Sequence, residues 1–149
     1  MQEFIVREAA MPDLDAILEL YTHFSKSHPI PEKSENLLEL WQRLLNTRGH
    51  HIIVCTHDEK IVSSCVLTII ENLTYSCRPY SLVENVVTLP AYRKMGCGTA
   101  VLNKAKEIAE QNNCYKIMLC TGSKDKSVLN FYKRAGYNSE EKTAFIQRI

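Results

Sequence analysis

The segment from Tyr80 to Ala109 constrains the fold most, because it carries three structural signals in a fixed order. Its first part, about Tyr80 to Leu89, is rich in β-branched residues and predicts a strand. Pro90 cannot donate to a sheet ladder and ends that strand. Gly96 and Gly98 then lead into a predicted helix. The apolar stripe of this helix consists of Val101, Leu102, Ala105, Ile108 and Ala109.

The rest of the chain alternates strands and helices. Apolar residues at helical spacing predict one helix after Pro12 and a second around Trp41. The other predicted strands are Phe4–Val6, Ile52–Cys55, Ile61–Ile70, Lys116–Cys120 and Thr143–Ile149, and a last helix covers Asp125–Ala135. The order βααβββαβαβ describes an α/β sandwich with a mixed sheet. The length of 149 residues fits one domain, 1–149, with one core.

Composition excludes several classes of function. The 18 basic and 17 acidic residues give a formal net charge of +1, too balanced to attract nucleic acid or a membrane surface. The six cysteines form no C-x-x-C pair, and Met1 to Ala10 lacks the apolar core of a signal peptide. We therefore expect free thiols and a cytoplasmic location. Apolar stretches such as Cys65 to Ile70 are too short to span a bilayer.

Three histidines and a cysteine lie close together in the sequence, at His50, His51, Cys55 and His57. Zinc sites usually show C-x-x-C or H-x-x-x-H spacing, which is absent here. We therefore expect ordinary sheet residues and no metal.

The glycine loop indicates an anion-binding site. Glycine lets a phosphate approach the backbone closely, and the first N–H groups of a helix have no partner inside it. The helix dipole attracts an anion to these groups, and Arg93 and Lys94 add full positive charges. An ordinary tight turn before a helix is the alternative. The P-loop pattern is absent, and the Rossmann fingerprint fails because Val101 replaces its third glycine.

With these residues the chain resembles the GNAT family of N-acetyltransferases. The family's hallmark [RQ]-x-x-G-x-[GA] here reads Arg93-Lys94-Met95-Gly96-Cys97-Gly98. A second family block has asparagine, then alanine three residues later, tyrosine seven residues later, and a glycine-aromatic pair. Tyr132 and Gly136-Tyr137 match this block, whereas Asp125 and Val128 replace its asparagine and alanine. The resemblance covers essentially the whole chain, and it is closest to the branch containing glucosamine-6-phosphate N-acetyltransferases.

The resemblance implies a splayed central sheet and acetyl-CoA as co-substrate. The pantetheine arm would lie between the strand at Val86–Leu89 and the strand at Lys116–Cys120, pairing with backbone groups of Val87 and Leu89. A backbone N–H near Val87 would polarise the thioester carbonyl. The implied cofactor-binding residues are Val86, Val87, Thr88, Leu89, Arg93, Lys94, Met95, Gly96, Cys97, Gly98, Thr99 and Asp125. Cys97 is expected to lie exposed in the loop, where a helix start can lower a thiol pKa.

Two residues are candidates for proton transfer. The unperturbed pKa of a tyrosine is about 10, so Tyr132 holds a proton at neutral pH and can protonate the leaving thiolate. Its alternative is a core aromatic residue. Glu84 interrupts an apolar strand, which suggests a base acting through water. Its alternative is a solvated glutamate at a strand edge. Asn85 is expected to point to the opposite face in a structural role.

The predicted function is acetyl transfer from acetyl-CoA to a primary amine by direct attack in a ternary complex. The acceptor is open: an amino-sugar phosphate or another small amine is favoured, and a protein amine is an alternative. A non-catalytic domain that binds or senses acyl-CoA is the competing class. His23, Lys26 and His28 could contact an anionic acceptor. Homodimers are common in the resembled branch.

Overall fold

The central sheet of the computed structural model has five strands in chain order, β1-β2-β3-β4-β5. The structure describes residues 3–24 and 29–149. The strands are β1 (Ile5–Glu8), β2 (His50–His57), β3 (Lys60–Ile70), β4 (Tyr80–Thr88) and β5 (Ile117–Leu119). The first four pair antiparallel with their neighbours, and β5 pairs parallel with β4. The mixed sheet expected from the sequence is confirmed.

In the part of the chain that the structure describes, five helical segments connect or cover these strands. They are α1 (Leu14–Tyr21), α2 (Glu35–Asn46), the single turn α3 (Thr74–Cys77), α4 (Cys97–Gln111) and α5 (Lys126–Arg134). Short 3-10 turns at Met11–Asp13 and Pro90–Tyr92 lead into α1 and away from β4. Among the described helices none is both long and apolar enough to cross a membrane.

The sheet separates two apolar cores. On the α4 face, the buried stripe predicted for α4, including Val101 and Ala105, packs against Ile53, Leu67 and Val83. On the α1–α2 face, Ile17 and Trp41 pack against the other side of the sheet. Burying apolar side chains on both faces contributes most of the driving force for this layered arrangement.

Local signals fix where the helices begin. The Ser34 hydroxyl accepts a hydrogen bond from the N–H of Leu37 at the start of α2. At the start of α5 the Asp125 carboxylate accepts one from the N–H of Ser127. Each side chain satisfies a backbone donor that the helix leaves unpaired.

The strand predicted at Thr143–Ile149 is wrong. All residues from 138 to 149 are exposed, and the segment has no strand assignment. Phe145 is 92% and Ile146 is 69% exposed. A strand is stable only when its backbone groups pair with a neighbour, and β5 offers only three residues. The sequence pattern is that of a strand, but within residues 3–24 and 29–149 no strand pairs with this segment.

Candidate active site

An opening in the sheet lies between β4 and β5. These strands pair at Ser81 with Ile117, Leu82 with Met118, and Val83 with Leu119. Strand β4 then runs on to Thr88, whereas β5 ends at Leu119. Backbone groups on this side of β4 are therefore exposed to whatever occupies the opening. This is the splay that the sequence resemblance implied.

A β-bulge in β4 sits where the opening starts. Ser64 pairs with Val87 and Val66 pairs with Glu84, so Asn85 and Val86 together lie opposite a single residue of β3. Asn85 has a φ of +54°, a left-handed conformation that asparagine tolerates better than most residues. The extra residue changes which faces the strand's side chains occupy.

The consequence is visible in the two cores. Val83 is buried on the α4 face and Val87 on the α1–α2 face, although simple alternation would put them on the same side. Glu84 is paired with Val66, which belongs to the α1–α2 core, so Glu84 is directed to that face. Asn85 lines a cavity on the same face. The expectation that Asn85 points to the opposite face is therefore wrong.

The backbone of Leu89 is already engaged. Its N–H donates to the carbonyl of Val62 at 2.9 Å, and its carbonyl accepts from the N–H of Tyr92 at 2.9 Å. Because hydrogen-bonding direction alternates along an antiparallel strand, Val87 also faces β3, while Val86 and Thr88 face the opening. The backbone groups of Val86 and Thr88, rather than those of Val87 and Leu89, are therefore directed toward the opening, and a pantetheine contact with any of them stays a prediction.

The glycine loop forms a concave run of backbone before α4. Lys94 and Gly96 have positive φ angles of 62° and 93°, and Gly96 is the residue that precedes the helix. The carbonyl of Gly96 accepts the hydrogen bond from Ala100 N–H at 2.9 Å, so the N–H groups before Ala100 point out of the helix end. Arg93 is exposed, and its Nε donates to the carbonyl of Thr88 at 3.3 Å. Together these groups make a basic, donor-rich end of α4 suited to a phosphate.

Cys97 and Gly98 differ from their expected roles. Cys97 is 1% exposed and belongs to the α4-face core, so burial raises its thiol pKa rather than lowering it. A Cβ added to Gly98 would lie 3.1 Å from Cζ of Phe131 and 3.3 Å from Oγ1 of Thr88. A side chain at position 98 would therefore crowd Phe131 of α5 and Thr88, a reason for glycine that is separate from any contact with a phosphate.

Tyr132 and Glu84 lie on different faces of the sheet. Tyr132 projects from α5, packs against the α4-face core, and has ring contacts with Phe131 and Tyr137. Burial raises the pKa of Tyr132, and negative charge on Cys65 and Glu84 adds to the increase. Glu84 is exposed at the first position of β4 beyond its last pair with β5, and its pairing with Val66 directs it to the α1–α2 face. Any joint role of the two side chains therefore stays a prediction.

Asp125 has a structural partner. Its carboxylate caps α5 through the N–H of Ser127 at 2.7 Å, and this hydrogen bond lowers the pKa of Asp125. A contact between Asp125 and a cofactor stays a prediction.

Two other predicted cofactor-binding residues are accessible. Met95 and Thr99 are exposed at the loop and the first turn of α4, where a ligand could reach them.

A cavity on the α1–α2 face lies beside Glu84. It contains Asn85 and Tyr21, neither of which was a candidate in the sequence analysis. Asn85 could have been recognised, because asparagine in the middle of an apolar strand often marks a bulge. Nothing in the sequence distinguished Tyr21 from a core residue, because its spacing on α1 is that of the buried apolar face.

The histidines singled out by the sequence are dispersed. His51 is hydrogen-bonded to Glu8, His50 contacts the hydroxyl of Thr68, and His57 packs between Phe4 and Tyr92. Within residues 3–24 and 29–149, no three histidine, cysteine, aspartate or glutamate side chains are grouped to hold a metal ion. His23 is exposed, and Lys26 and His28 lie outside the described residues.

Comparisons with known proteins agree with this geometry. Residues 16–137 match the Acetyltransferase (GNAT) family. The chain is 32% identical over 133 residues to a glucosamine 6-phosphate N-acetyltransferase of Trypanosoma brucei brucei, covering 87% of this chain and 86% of that protein.

Solved structures show the same fold. A putative acetyltransferase from Agrobacterium tumefaciens is 37% identical, with a TM-score of 0.89 over 97% of this chain and 99% of that one. A glucosamine-6-phosphate N-acetyltransferase from Arabidopsis thaliana is 18% identical, with a TM-score of 0.86 over 99% of both chains. At this low identity the second match concerns the fold alone.

Proposed function

The chain belongs to the acetyltransferase (GNAT) family, and we propose that it moves the acetyl group of acetyl-CoA directly onto a small primary amine in a ternary complex. The observation that carries this proposal is the opening beyond Val83 and Leu119, with Glu84 and Tyr132 beside it. The basic end of α4 lies further along the same strand-loop-helix unit. We take residues 1–149 as one N-acetyltransferase domain.

The residues at the opening fit acetyl-CoA. The N–H groups from Met95 to Thr99, with Arg93 and Lys94, would hold the pyrophosphate. The outward backbone groups of Val86 and the outward N–H of Thr88 would pair with the pantetheine arm as an added strand does. Bound there, acetyl-CoA supplies the acetyl group as a thioester, so a C–N bond forms as the C–S bond breaks.

The side chains at the opening provide the proton transfers. Glu84, acting through a water molecule, accepts a proton from the attacking amine. The N–H of Val86, at the bulge, would stabilise negative charge on the acetyl oxygen. Tyr132 donates its proton to the sulfur as the C–S bond breaks, and its raised pKa keeps that proton available at neutral pH. Holding the amine and the thioester carbonyl in line with each other contributes much of the rate enhancement.

The competing function is acyl-CoA binding without turnover. An exposed carboxylate at Glu84 and a protonated hydroxyl at Tyr132 support chemistry, because binding alone requires neither group. Mixing the protein with acetyl-CoA and a panel of primary amines, and following release of free thiol, separates the two. Thiol release that depends on both an amine and Tyr132 supports the enzyme. Acetyl-CoA binding without amine-dependent thiol release would favour the binding function.

A homodimer is a further proposal. Phe145 and Ile146 are exposed in a segment with a strand-like sequence, and β5 is a short strand at the end of the sheet. Covering these side chains with a second copy would remove apolar surface from water.

A further inference from the structure

The cavity on the α1–α2 face is lined mainly by apolar side chains. Its volume is about 460 Å³, and it lies between α1, α2, the segment from Pro29 to Pro31, and the sheet. Its aromatic and aliphatic lining comes chiefly from Ile17, Tyr21, Phe24, Leu37, Leu40 and Trp41. Such a volume accommodates a small molecule.

Most polar groups that border the cavity are used within the protein. The indole Nε1 of Trp41 donates to the carbonyl of Met11 at 3.1 Å, so this ring presents an apolar surface. The Thr22 hydroxyl donates to the carbonyl of Glu19 at 2.7 Å. His50 contacts Thr68, and burial lowers the pKa of His50, which keeps its ring neutral near pH 7. These groups therefore leave a mainly apolar surface for whatever occupies the cavity.

Polarity is concentrated at one end of the cavity. Asn85 and Tyr21 lie there, and Asn85 directly follows Glu84. The buried hydroxyl of Ser64, on the neighbouring strand, and the side chain of Asn85 both lie within hydrogen-bonding reach of the Tyr21 hydroxyl. These three groups make this the polar end of an otherwise apolar cavity. The polar end of the cavity thus lies toward Glu84, where the attack of the amine is proposed, and the apolar end lies away from it.

We propose that the acceptor is a primary amine whose body is apolar, an aromatic or branched alkyl group, with the amine at the Asn85 end and the body between α1 and α2. This inference rests on the proposed function. A phosphate placed against this apolar lining would lose its hydration, which is costly. The apolar lining therefore favours a different acceptor from the amino-sugar phosphate named for the trypanosome relative.

Two amines that differ mainly in their bodies test the inference. 2-Phenylethylamine and O-phosphoethanolamine both present an aminoethyl group, one on a phenyl ring and the other on a phosphate. We expect kcat/KM for 2-phenylethylamine to be at least about 100-fold higher, because only its body can be buried without losing strong hydration. Glucosamine 6-phosphate serves as a third acceptor and should also be poor.

A matched pair of variants tests the location. Leu40 lines the cavity and is 41% exposed, while Leu38 lies outside the lining on the same helix and is 53% exposed. L40D should lower kcat/KM for 2-phenylethylamine roughly tenfold, the scale of losing one apolar contact in a specificity pocket. L38D should match the unmodified protein. Both should retain the rise in Tm that acetyl-CoA produces.

The outcomes separate this inference from the proposed function. Equal rates, a preference for either phosphate, or turnover of neither test amine while acetyl-CoA still raises Tm would overturn the inference alone. Equal activity of L40D and L38D would show that the amine binds elsewhere and would also overturn it. Failure of acetyl-CoA to bind would overturn the proposed function and the inference with it.

Discussion

Val83 of β4 and Leu119 of β5 form the pair at which the parallel part of the sheet ends. The next residue, Glu84, and the bulge at Asn85 follow at once on β4, while the chain after Leu119 leaves toward α5 and Tyr132. The position of the candidate site is thus set by the backbone. Conservative changes at Glu84 or Tyr132 should therefore alter chemistry more than folding.

The first prediction concerns the hydroxyl of Tyr132. Tyr132→Phe keeps the ring and its contacts with Phe131 and Tyr137. If the hydroxyl protonates the leaving sulfur, kcat should fall about 100-fold while KM for acetyl-CoA changes little. Steady-state kinetics measure both. A large rise in KM with kcat intact would make Tyr132 a binding residue instead.

The same prediction has a control and a pH dependence. Tyr137 is also partly buried, which raises its pKa to about 12, and Tyr137→Phe should retain nearly full kcat.

The pKa of Tyr132 is raised above its usual 10, so the hydroxyl keeps its proton as pH rises through neutral values. The alkaline fall in kcat should therefore be centred above the usual tyrosine pKa of about 10. A fall centred near pH 8 would assign the acid to another group.

The second prediction concerns Glu84. Glu84→Gln keeps the shape of an exposed side chain, so Tm should stay within about 1 °C, as is usual for surface changes. Loss of the base should lower kcat/KM for the amine about 100-fold at neutral pH and less at high pH, where the free amine is already neutral. Glu59→Gln, another exposed glutamate, is the matched control. Equal activity of both variants would leave Glu84 as a solvated edge residue.

A third prediction separates two reasons for glycine at position 98. Gly98→Val would place side-chain atoms against Phe131 and Thr88, so it should lower the free energy of unfolding by about 1–3 kcal/mol even without ligand. The additional change Phe131→Leu should restore part of that loss. Urea denaturation of the ligand-free proteins measures both effects. Unchanged stability of Gly98→Val would mean that its role is confined to the phosphate.

The fourth prediction concerns the exposed segment after residue 138. If a second copy covers Phe145 and Ile146, light scattering after size exclusion should give the mass of a dimer at micromolar concentration. Replacing both residues with serine should give a monomer with an unchanged circular dichroism spectrum. A monomeric parent protein would refute the homodimer.

The sequence predicts the fold well where the signal is local. Pro90, the glycine loop and the stripe from Val101 to Ala109 define a strand, a loop and a helix within one stretch of chain. The pairing of β4 with β5 is harder to predict, because the whole of α4 separates these two strands in the sequence. It was expected only from the resemblance to a known family.

Three features could not be predicted from the sequence because they depend on tertiary contacts. Alternation along β4 predicted opposite faces for Glu84 and Asn85, but the bulge opposite β3 directs both to the α1–α2 face. Residues 143–149 have the composition of a strand, but composition does not reveal whether a partner strand is available. The cavity likewise requires α1 and α2 to be placed over the sheet before its lining can be known.

Thermal unfolding in the presence of acetyl-CoA tests the central claim most directly. A ligand that binds only the folded protein stabilises it by about 2.7 kcal/mol at 100 times its Kd, which should raise Tm by several degrees. ATP and NAD at equal concentration should raise Tm much less, because neither carries a pantetheine arm to pair with Val86 and Thr88. No change in Tm with acetyl-CoA up to millimolar concentration, or an equal change with all three, would contradict the account.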